Sequence, residues 1–321
     1  MKNLKLAAVC LSCLTMTGCS ALNFSVEGLI NAPKLTSEQS EIHQALIESV
    51  GSNITLKYPK NGEYRSAYVI ANIDDEPTDE AMVFYEYTSN GSEEDGLRVN
   101  ILDKDEDGKW YSVKELAGAG TDIDQVIISP MGSNNQTDVF VGYQNLTNDE
   151  KTMEIYSYTD GDFKRVALDT YSVLEPLDIN NDGYIELITI QRSTNNDTGA
   201  VTAKASMLNM KNNEITRGEN VDMCDNVTSY VSSKTGMLDS GRRAIFIDGL
   251  TADGKLQTEI IYYRYSGLQN PMQLRSEKLL PLCTRPAGYY SEDMDGDGDV
   301  EIPSTCLLYT SPSPRDRSVS R

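Results

Sequence analysis

Short apolar runs separated by polar clusters recur along most of the chain. Between residues 66 and 116, four such runs, SAYVIANI, EAMVFYEY, GLRVNILD and KWYSVKEL, are rich in β-branched and aromatic residues. The clusters between them consist mainly of Asp, Asn and Gly. Runs of this kind are typical of short antiparallel strands joined by turns. This stretch therefore predicts one unit of four antiparallel strands.

The unit then repeats. Corresponding strands begin at Glu80, Asp138, Glu186 and Arg243, and a fifth match falls on Glu301, which gives steps of 58, 48, 57 and 58 residues. Repeats of this length with about four strands each are the size of a propeller blade. Residues 66–305 are therefore predicted to be all-β, an incomplete β-propeller with about four to five four-stranded antiparallel blades. A stacked pair of β-sandwiches is the competing architecture.

A helix is predicted before the strands. Thr36 followed by Gln39 matches a capping box, and the apolar positions 42, 45, 46 and 50 fall on one helical face. We therefore expect a short N-terminal helix at about 37–50, within a tether that spans residues 19–65. His43, the single histidine of the chain, lies on this helix. One histidine excludes most His-based triads and zinc sites.

The first residues have the layout of an export signal. Lys2 and Lys5 precede an apolar run that ends in Met-Thr-Gly-Cys. This sequence resembles a bacterial lipobox, which implies that residues 1–18 are removed as a signal peptide and that Cys19 is lipidated. The expected location is extracytoplasmic, with the chain anchored to the bacterial cell membrane through Cys19. An ordinary signal peptide that contains cysteines is the alternative.

Charge and cysteine content limit the partners. The formal net charge is −21, from 49 acidic and 28 basic residues, with a pI near 4.4. Such acidity disfavours binding to a phosphate backbone, so no nucleic acid is expected. It suits a solubilising surface or divalent cations. Cys224 and Cys283 could pair, but the mature chain has too few cysteines for a disulfide framework.

The last residues differ from the rest. From Cys306, the sequence CLLYTSPSPRD is rich in Ser and Pro, whereas the preceding chain is acidic and rich in Tyr and Asn. It resembles the translation of a DNA sequencing adapter. We therefore expect residues 306–321 to be an artefactual or disordered tail without function, and the natural protein to continue beyond about residue 305. A natural disordered tail is the alternative.

Two acidic stretches of nine residues match position by position, DINNDGYIE at 178–186 and DMDGDGDVE at 293–301. Side-chain oxygens at positions 1, 3, 5 and 9, a backbone carbonyl at position 7 and a glycine at position 6 would make a cage for a hard cation, and Ca²⁺ suits it better than Mg²⁺. The predicted ligands of the two sites are Asp178, Asn180, Asp182, Tyr184, Glu186, Asp293, Asp295, Asp297, Asp299 and Glu301. Turns held by side-chain to backbone hydrogen bonds, without metal, are the alternative.

These stretches lack the Glu that an EF-hand needs at position 12, and position 9 opens a strand. They resemble the D-x-[DN]-x-D-G-x-x-[DE] calcium loops of FG-GAP or VCBS repeats in integrin-α-like β-propellers. The resemblance implies calcium at both loops, although the Phe-Gly…Gly-Ala-Pro signature of the family is absent. A related run at 72–80 has Pro77 in place of the glycine, which argues against an ion there. We interpret a further run at 103–108 as a hairpin turn.

No catalytic motif is apparent. The chain has no P-loop, dinucleotide fingerprint or G-x-S-x-G elbow. The sequence therefore predicts a non-catalytic cell-surface lipoprotein that presents a propeller surface to a protein or glycan ligand. The alternative is a propeller hydrolase or lyase that acts on extracellular polysaccharide, with a site partly beyond residue 305. A cluster of unpaired acids and aromatic residues in the central funnel would favour the alternative.

Overall fold

The structure, a computed structural model, describes residues 35–88, 96–130, 137–145, 150–194, 201–211, 214–225, 227–238, 241–270 and 284–303. The chain divides into two compact units, Met1–Gln44 and Ala45–Arg321. The predicted export signal, Cys19, Cys283 and the tail from residue 306 lie outside the described residues. Among the residues that are described, no helix is long and apolar enough to cross a membrane.

The predicted helix is present as α1 (Ser37–Val50). Its capping box forms in both directions. The N–H of Gln39 donates to Oγ1 of Thr36 at 3.1 Å, and the N–H of Thr36 donates to Oε1 of Gln39 at 3.1 Å. These two bonds satisfy backbone donors that have no partner inside the helix, and they explain why the helix begins at Ser37.

The first sheet contains the four strands that the sequence predicts and one more. Its members are β1 (Ile54–Leu56), β2 (Tyr68–Ala71), β3 (Glu80–Tyr87), β4 (Leu97–Lys104) and β5 (Trp110–Ala117). Strand β3 pairs with β1 through its last residues and with β2 through its first residues. On its other side it pairs with β4, which pairs with β5. Because β1 joins β3, the first sheet begins before residue 66.

Three further sheets follow in chain order, and all of their pairings are antiparallel. The second contains β6 (Asp122–Pro130), β7 (Thr137–Gln144), β8 (Lys151–Thr159) and β9 (Asp162–Tyr171). The third contains β10 (Val173–Leu177), β11 (Glu186–Thr194), β12 (Val201–Lys211) and β13 (Glu214–Asp222). The fourth contains β14 (Val227–Leu238), β15 (Arg242–Thr251), β16 (Lys255–Arg264) and β17 (Gly267–Gln269), and β18 (Arg285–Pro286) also pairs with β16.

This architecture confirms the predicted fold class, an all-β, propeller-like chain of four-stranded antiparallel sheets with one short helix. The described residues form four antiparallel sheets, two with four strands and two in which a fifth strand is added. Around the fifth sequence match, Glu301 makes only an isolated antiparallel bridge with Glu292, and Asp299 makes a parallel bridge with Met237. The described part of the fifth match therefore attaches to the fourth sheet and is not a sheet of its own.

The apolar core lies between successive sheets. Buried side chains of the first and second sheets form one cluster, those of the second and third sheets another, and those of the third and fourth sheets a third. Each middle sheet is thus covered on both faces, which is why a strand such as β7 is apolar almost without interruption. The clusters include Phe84 with Val141, Phe140 with Leu187, and Ile188 with Ile245.

Candidate functional site: two acidic loops and a polar cavity

The first acidic loop, residues 178–186, joins β10 to β11 and is held by its own side chains. Asp178 accepts hydrogen bonds from the N–H groups of positions 5 and 6 at 3.0 and 3.2 Å. Asn180 accepts one from position 5 at 2.8 Å, and Asp182 accepts one from position 7 at 2.9 Å. Glu186, at position 9, accepts one from position 2 at 3.0 Å. The acidic residues therefore organise the backbone of the turn.

The second acidic loop, residues 293–301, repeats this arrangement. Asp293 accepts from position 6 at 3.0 Å, and Asp295 accepts from position 5 at 3.2 Å. Asp297 accepts from position 7 at 2.9 Å, and Glu301 accepts from position 2 at 2.8 Å. All four contacts have a counterpart in the first acidic loop. Two stretches 115 residues apart in the sequence thus adopt the same local structure.

The glycine at position 6 is required by the backbone of both loops. Gly183 has a φ of 93° and Gly298 a φ of 95°, in the left-handed region that side chains disfavour. In the related run at 72–80, position 6 is Pro77, whose ring restricts φ to negative values. That run therefore has a different turn, although it keeps the contact from position 9 to position 2.

The two acidic loops differ in how their charge is compensated. In the first, the guanidinium of Arg243 on β15 lies 3.0 Å from a carboxylate oxygen of Asp178 and also donates to its backbone carbonyl at 3.1 Å. In the second, Asp293, Asp295 and Asp297 each offer an oxygen within 4.8 Å of the others, the only such group among the described residues. Because three close carboxylates repel, an all-oxygen set of this kind fits a hard cation.

The remaining predicted ligands lie at position 7. The side chain of Tyr184 is 61% exposed, so only its backbone carbonyl is a candidate ligand. Asp299 forms the parallel bridge to Met237, and the N–H of Met237 donates to the carbonyl of Gly298 at 3.3 Å. The second acidic loop is thus fastened to β14, the first strand of the fourth sheet.

The run at 103–108 forms the turn between β4 and β5. The N–H of Asp105 donates to the carbonyl of Lys109 at 3.0 Å, and the N–H groups of Asp107 and Lys109 donate to Oδ1 of Asp105 at 3.0 and 2.9 Å. Its backbone thus forms a hairpin turn, as predicted, and the side chain of Asp105 stabilises this turn.

A polar cavity of about 610 Å³ lies against the first strands of the second, third and fourth sheets, and residues 61–64 complete its wall. Its charged side chains are Glu63, Asp124, Lys151, Glu175 and Lys234, and Ser233 is among its hydroxyl side chains. The volume is typical of sites for small ligands, about 300–1,000 Å³. The fold therefore brings together polar groups that come from three separate repeats.

The polar cavity has three carboxylates, the exposed Glu63 and two on strands that differ from each other. Asp124 is 2% exposed and fully engaged, because it accepts hydrogen bonds from Asn61 at 2.8 Å, Lys151 at 2.8 Å and Tyr171 at 2.6 Å. Glu175 accepts a hydrogen bond from the hydroxyl of Ser233. Burial raises the pKa of Glu175 above its ordinary value, and this hydrogen bond only partly opposes the shift.

The polar cavity and the first acidic loop adjoin. Ile185, at position 8 of that loop, lines the cavity, and so do Glu175 and Pro176, which precede Asp178 by two or three residues. The first acidic loop and the residues before it therefore form part of the cavity wall.

Sequence reasoning did not find the polar cavity or the contact of Arg243 with Asp178. Asp124, Lys151 and Glu175 are single polar residues on strands, without a shared motif, and only the packing of the sheets makes them neighbours. Arg243 was recognised as the start of a repeat strand, but no local signal links it to a residue 65 positions earlier.

Comparison with known proteins leaves the family open. No protein-family model and no curated protein matches the chain. Among solved structures, a Bacteroides fragilis protein assigned as a 6-phosphogluconolactonase aligns with 10% identity over 68% of this chain and 65% of that one, at a TM-score of 0.32. The aligned part is thus just under two thirds of that protein, and a likeness this weak carries no argument about function.

Proposed function

We propose that this chain is a non-catalytic bacterial lipoprotein of the cell surface, in which calcium-binding loops stiffen a propeller that binds a protein or glycan ligand. The observation that carries the proposal is the group of three carboxylate oxygens in the second acidic loop, one each from Asp293, Asp295 and Asp297, that lie within 4.8 Å of one another. The side-chain oxygens at positions 1, 3, 5 and 9 are of the kind that calcium prefers.

The second acidic loop supplies the stronger support. Its three aspartates have no fixed cationic partner among the described residues, whereas Asp178 in the first acidic loop already has Arg243. We therefore expect the second acidic loop to bind calcium more tightly than the first. The overall acidity of the chain, with a net charge of −21, raises the local cation concentration and acts in the same direction.

Calcium titration of the chelator-treated protein tests the proposal. An ion that binds only the folded state stabilises it, by about 2.7 kcal/mol when free calcium is 100 times the dissociation constant. For a domain of this size, the melting temperature should then rise by about 5–10 °C. Asp297→Asn should remove one bound ion per chain, and Asp182→Asn should remove the other.

The matched control is Asp160→Asn. Asp160 lies in an exposed turn with a φ of 55°, which asparagine also tolerates, and it is outside both acidic loops. This variant should bind as much calcium as the wild type. If the wild type melts at the same temperature in calcium and in EDTA, or if Asp297→Asn retains full calcium binding, the proposal is wrong.

The polar cavity favours one second candidate, a hydrolase or lyase that acts on extracellular polysaccharide. Glu175, with a raised pKa, has the protonation behaviour of a general acid. Such chemistry uses two carboxylates, however, and of the others in the cavity Asp124 is already held by three donors and Glu63 is exposed. The engagement of Asp124 is why we prefer binding over catalysis.

Incubation with plant and bacterial polysaccharides separates the two candidates. The binding proposal expects no release of reducing ends and no unsaturated products by the wild type. Release of reducing ends or unsaturated products by the wild type, and its loss in Glu175→Gln, would establish the enzyme instead. Circular dichroism must show that the variant is still folded. Retention on an immobilised polysaccharide without any product would support the glycan-binding form of the proposal.

A further inference from the structure

The walls of the polar cavity differ in how far their hydrogen-bonding groups are already used. On the wall from the second sheet, Asp124 is held by three donors, one of which is the ammonium group of Lys151. The side-chain amide of Gln125 donates to the backbone carbonyl of Leu174 at 2.9 Å. These side chains are therefore engaged inside the protein, and that of Gln125 joins the second sheet to the third.

The wall from the third and fourth sheets has open hydrogen-bonding groups. Glu175 on β10 accepts a hydrogen bond from the hydroxyl of Ser233 through Oε1, whereas its Oε2 has no donor among the described residues and is accessible to solvent. In the same part of the chain, the ammonium group of Lys234 on β14 forms no ion pair, and the hydroxyls of Ser172 and Ser232 form no hydrogen bond. A ligand in the cavity can therefore bind both donors and acceptors on this wall.

Exposed apolar side chains lie on the same wall. Val231 on β14 is 42% exposed, and Ile185, in the loop between β10 and β11, is 43% exposed. Both line the polar cavity, together with Pro176 of β10. Ligand pockets commonly combine an apolar lining with a few polar groups that fix the orientation of the ligand. This wall thus matches a molecule that has an apolar face and several hydroxyl groups, as a sugar ring does.

The charges around the polar cavity favour a ligand without net charge. Burial raises the pKa of Glu175, and after the hydrogen bond from Ser233 the charges of two lysines oppose this rise. These are Lys151 and Lys234, whose ammonium groups therefore lie near the carboxylate and would repel a cationic ligand. Glu175, the exposed Glu63 and the net charge of −21 would repel an anionic one.

We propose that the polar cavity binds a short uncharged saccharide, such as the neutral end of a glycan chain. Its hydroxyl groups contact Glu175, Lys234 and the serine hydroxyls of the open wall, and the C–H face of one ring packs on Val231 and Ile185. A stable protein interface covers about 800 Å² on each partner, whereas a concave site of this volume encloses a small ligand. Such binding rests on the proposed function and specifies the glycan form of it.

Isothermal titration calorimetry with neutral trisaccharides of glucose, mannose, galactose or xylose tests this binding, with trigalacturonate as the acidic comparison. We expect at least one neutral trisaccharide to bind in a one-to-one ratio, and trigalacturonate to bind more weakly. Glu175→Gln should weaken the binding by about ten- to a hundredfold, because hydrogen bonds to a charged group are lost. Val231→Asp should abolish it, because the sugar would have to desolvate the new carboxylate.

Two matched controls separate the polar cavity from the rest of the surface. Ser229→Ala changes a serine of β14 that does not line the cavity, whereas Ser232→Ala changes one that does. Leu168→Asp places an aspartate at an exposed position of β9 outside the cavity. Ser229→Ala and Leu168→Asp should bind as the wild type does, and Ser232→Ala should bind more weakly. Because Val231 is exposed, Val231→Asp keeps the test valid if circular dichroism shows that Glu175→Gln fails to fold.

The calcium dependence of the melting temperature, measured on the same samples, distinguishes the saccharide site from the proposed function. If calcium raises the melting temperature but no neutral trisaccharide binds, or if Val231→Asp binds as tightly as the wild type, the saccharide site is wrong and the calcium-stiffened propeller stands. Tighter binding of trigalacturonate than of every neutral trisaccharide would also overturn the saccharide site. If a neutral trisaccharide binds as expected while calcium leaves the melting temperature unchanged, the calcium part of the proposed function fails and the saccharide site stands.

Discussion

Asp248 on β15 should be among the most sensitive positions for stability. It is 1% exposed, and the guanidinium of Arg285, also 1% exposed, lies 2.6 Å from its Oδ1. The hydroxyl of Thr258 donates to the same oxygen at 2.6 Å, and the N–H of Ser291 donates to Oδ2 at 2.6 Å. The carboxylate thus joins β15 to β16, to β18 and to the segment that leads into the second acidic loop.

Asp248→Asn keeps the shape of the side chain but removes its charge, which leaves the Arg285 guanidinium buried without a counter-ion. Breaking a buried pair in this way costs about 3–5 kcal/mol of unfolding free energy. The cost should not exceed this range, because the asparagine keeps one side-chain oxygen that can still accept a hydrogen bond from Thr258 or Ser291. Replacing both partners, in Asp248→Leu/Arg285→Met, should cost less than the single change, since no unpaired charge remains.

Urea unfolding followed by far-ultraviolet circular dichroism measures these differences. Asp253→Asn is the matched control, because Asp253 lies on the same sheet in an exposed pair with Lys255, 2.7 Å apart. Its unfolding midpoint should equal that of the wild type. An Asp248→Asn protein as stable as this control, or a double variant less stable than the single one, would refute the reasoning.

Two further changes test the packing and the buried charge. Gly142→Ala should lower stability by about 1–3 kcal/mol in urea unfolding, because the added Cβ overlaps the Tyr171 hydroxyl that donates to Asp124; wild-type stability would contradict it. Burial raises the folded-state pKa of Glu259 above 4.5, so the wild type should lose stability as the pH rises from about 4.5 through that raised value. Glu259→Gln should reduce this loss, because Glu175 and Glu186 also have raised pKa values and keep their own contributions, and an unchanged pH profile of unfolding would argue against it.

Structural features that depend on neighbouring residues in the chain could be predicted from the sequence. The capping box at Thr36 and Gln39 predicted the start of α1, and the period of about fifty to sixty residues predicted sheets of four antiparallel strands. Position 9 of the acidic stretches was expected to open a strand, and Glu186 does begin β11. These signals are carried by residues close together in the chain, and nearby residues determine their own turn or cap.

Contacts between repeats did not follow from the sequence. The polar cavity depends on Asp124 and Glu175, which lie 51 residues apart on strands of different sheets, and within the first sheet the register of β3 and β4 brings Asp103 near Glu80. In the sequence, the runs at 72–80 and 103–108 are separate, and each is a weak match by itself. Pairing of β3 with β4 brings them together, and a pattern read along one segment does not contain that information.

The fourth sheet connects the two acidic loops. Arg243 on β15 holds Asp178 of the first acidic loop, and its partner across the ladder is Met237 on β14. Met237 in turn bridges to Asp299 of the second acidic loop. One cross-strand pair therefore contacts both loops. Arg243 contacts the first acidic loop through its guanidinium, and Met237 contacts the second through its backbone. Both acidic loops are thus attached to the same pair of strands, and Ile185 of the first acidic loop also lines the polar cavity.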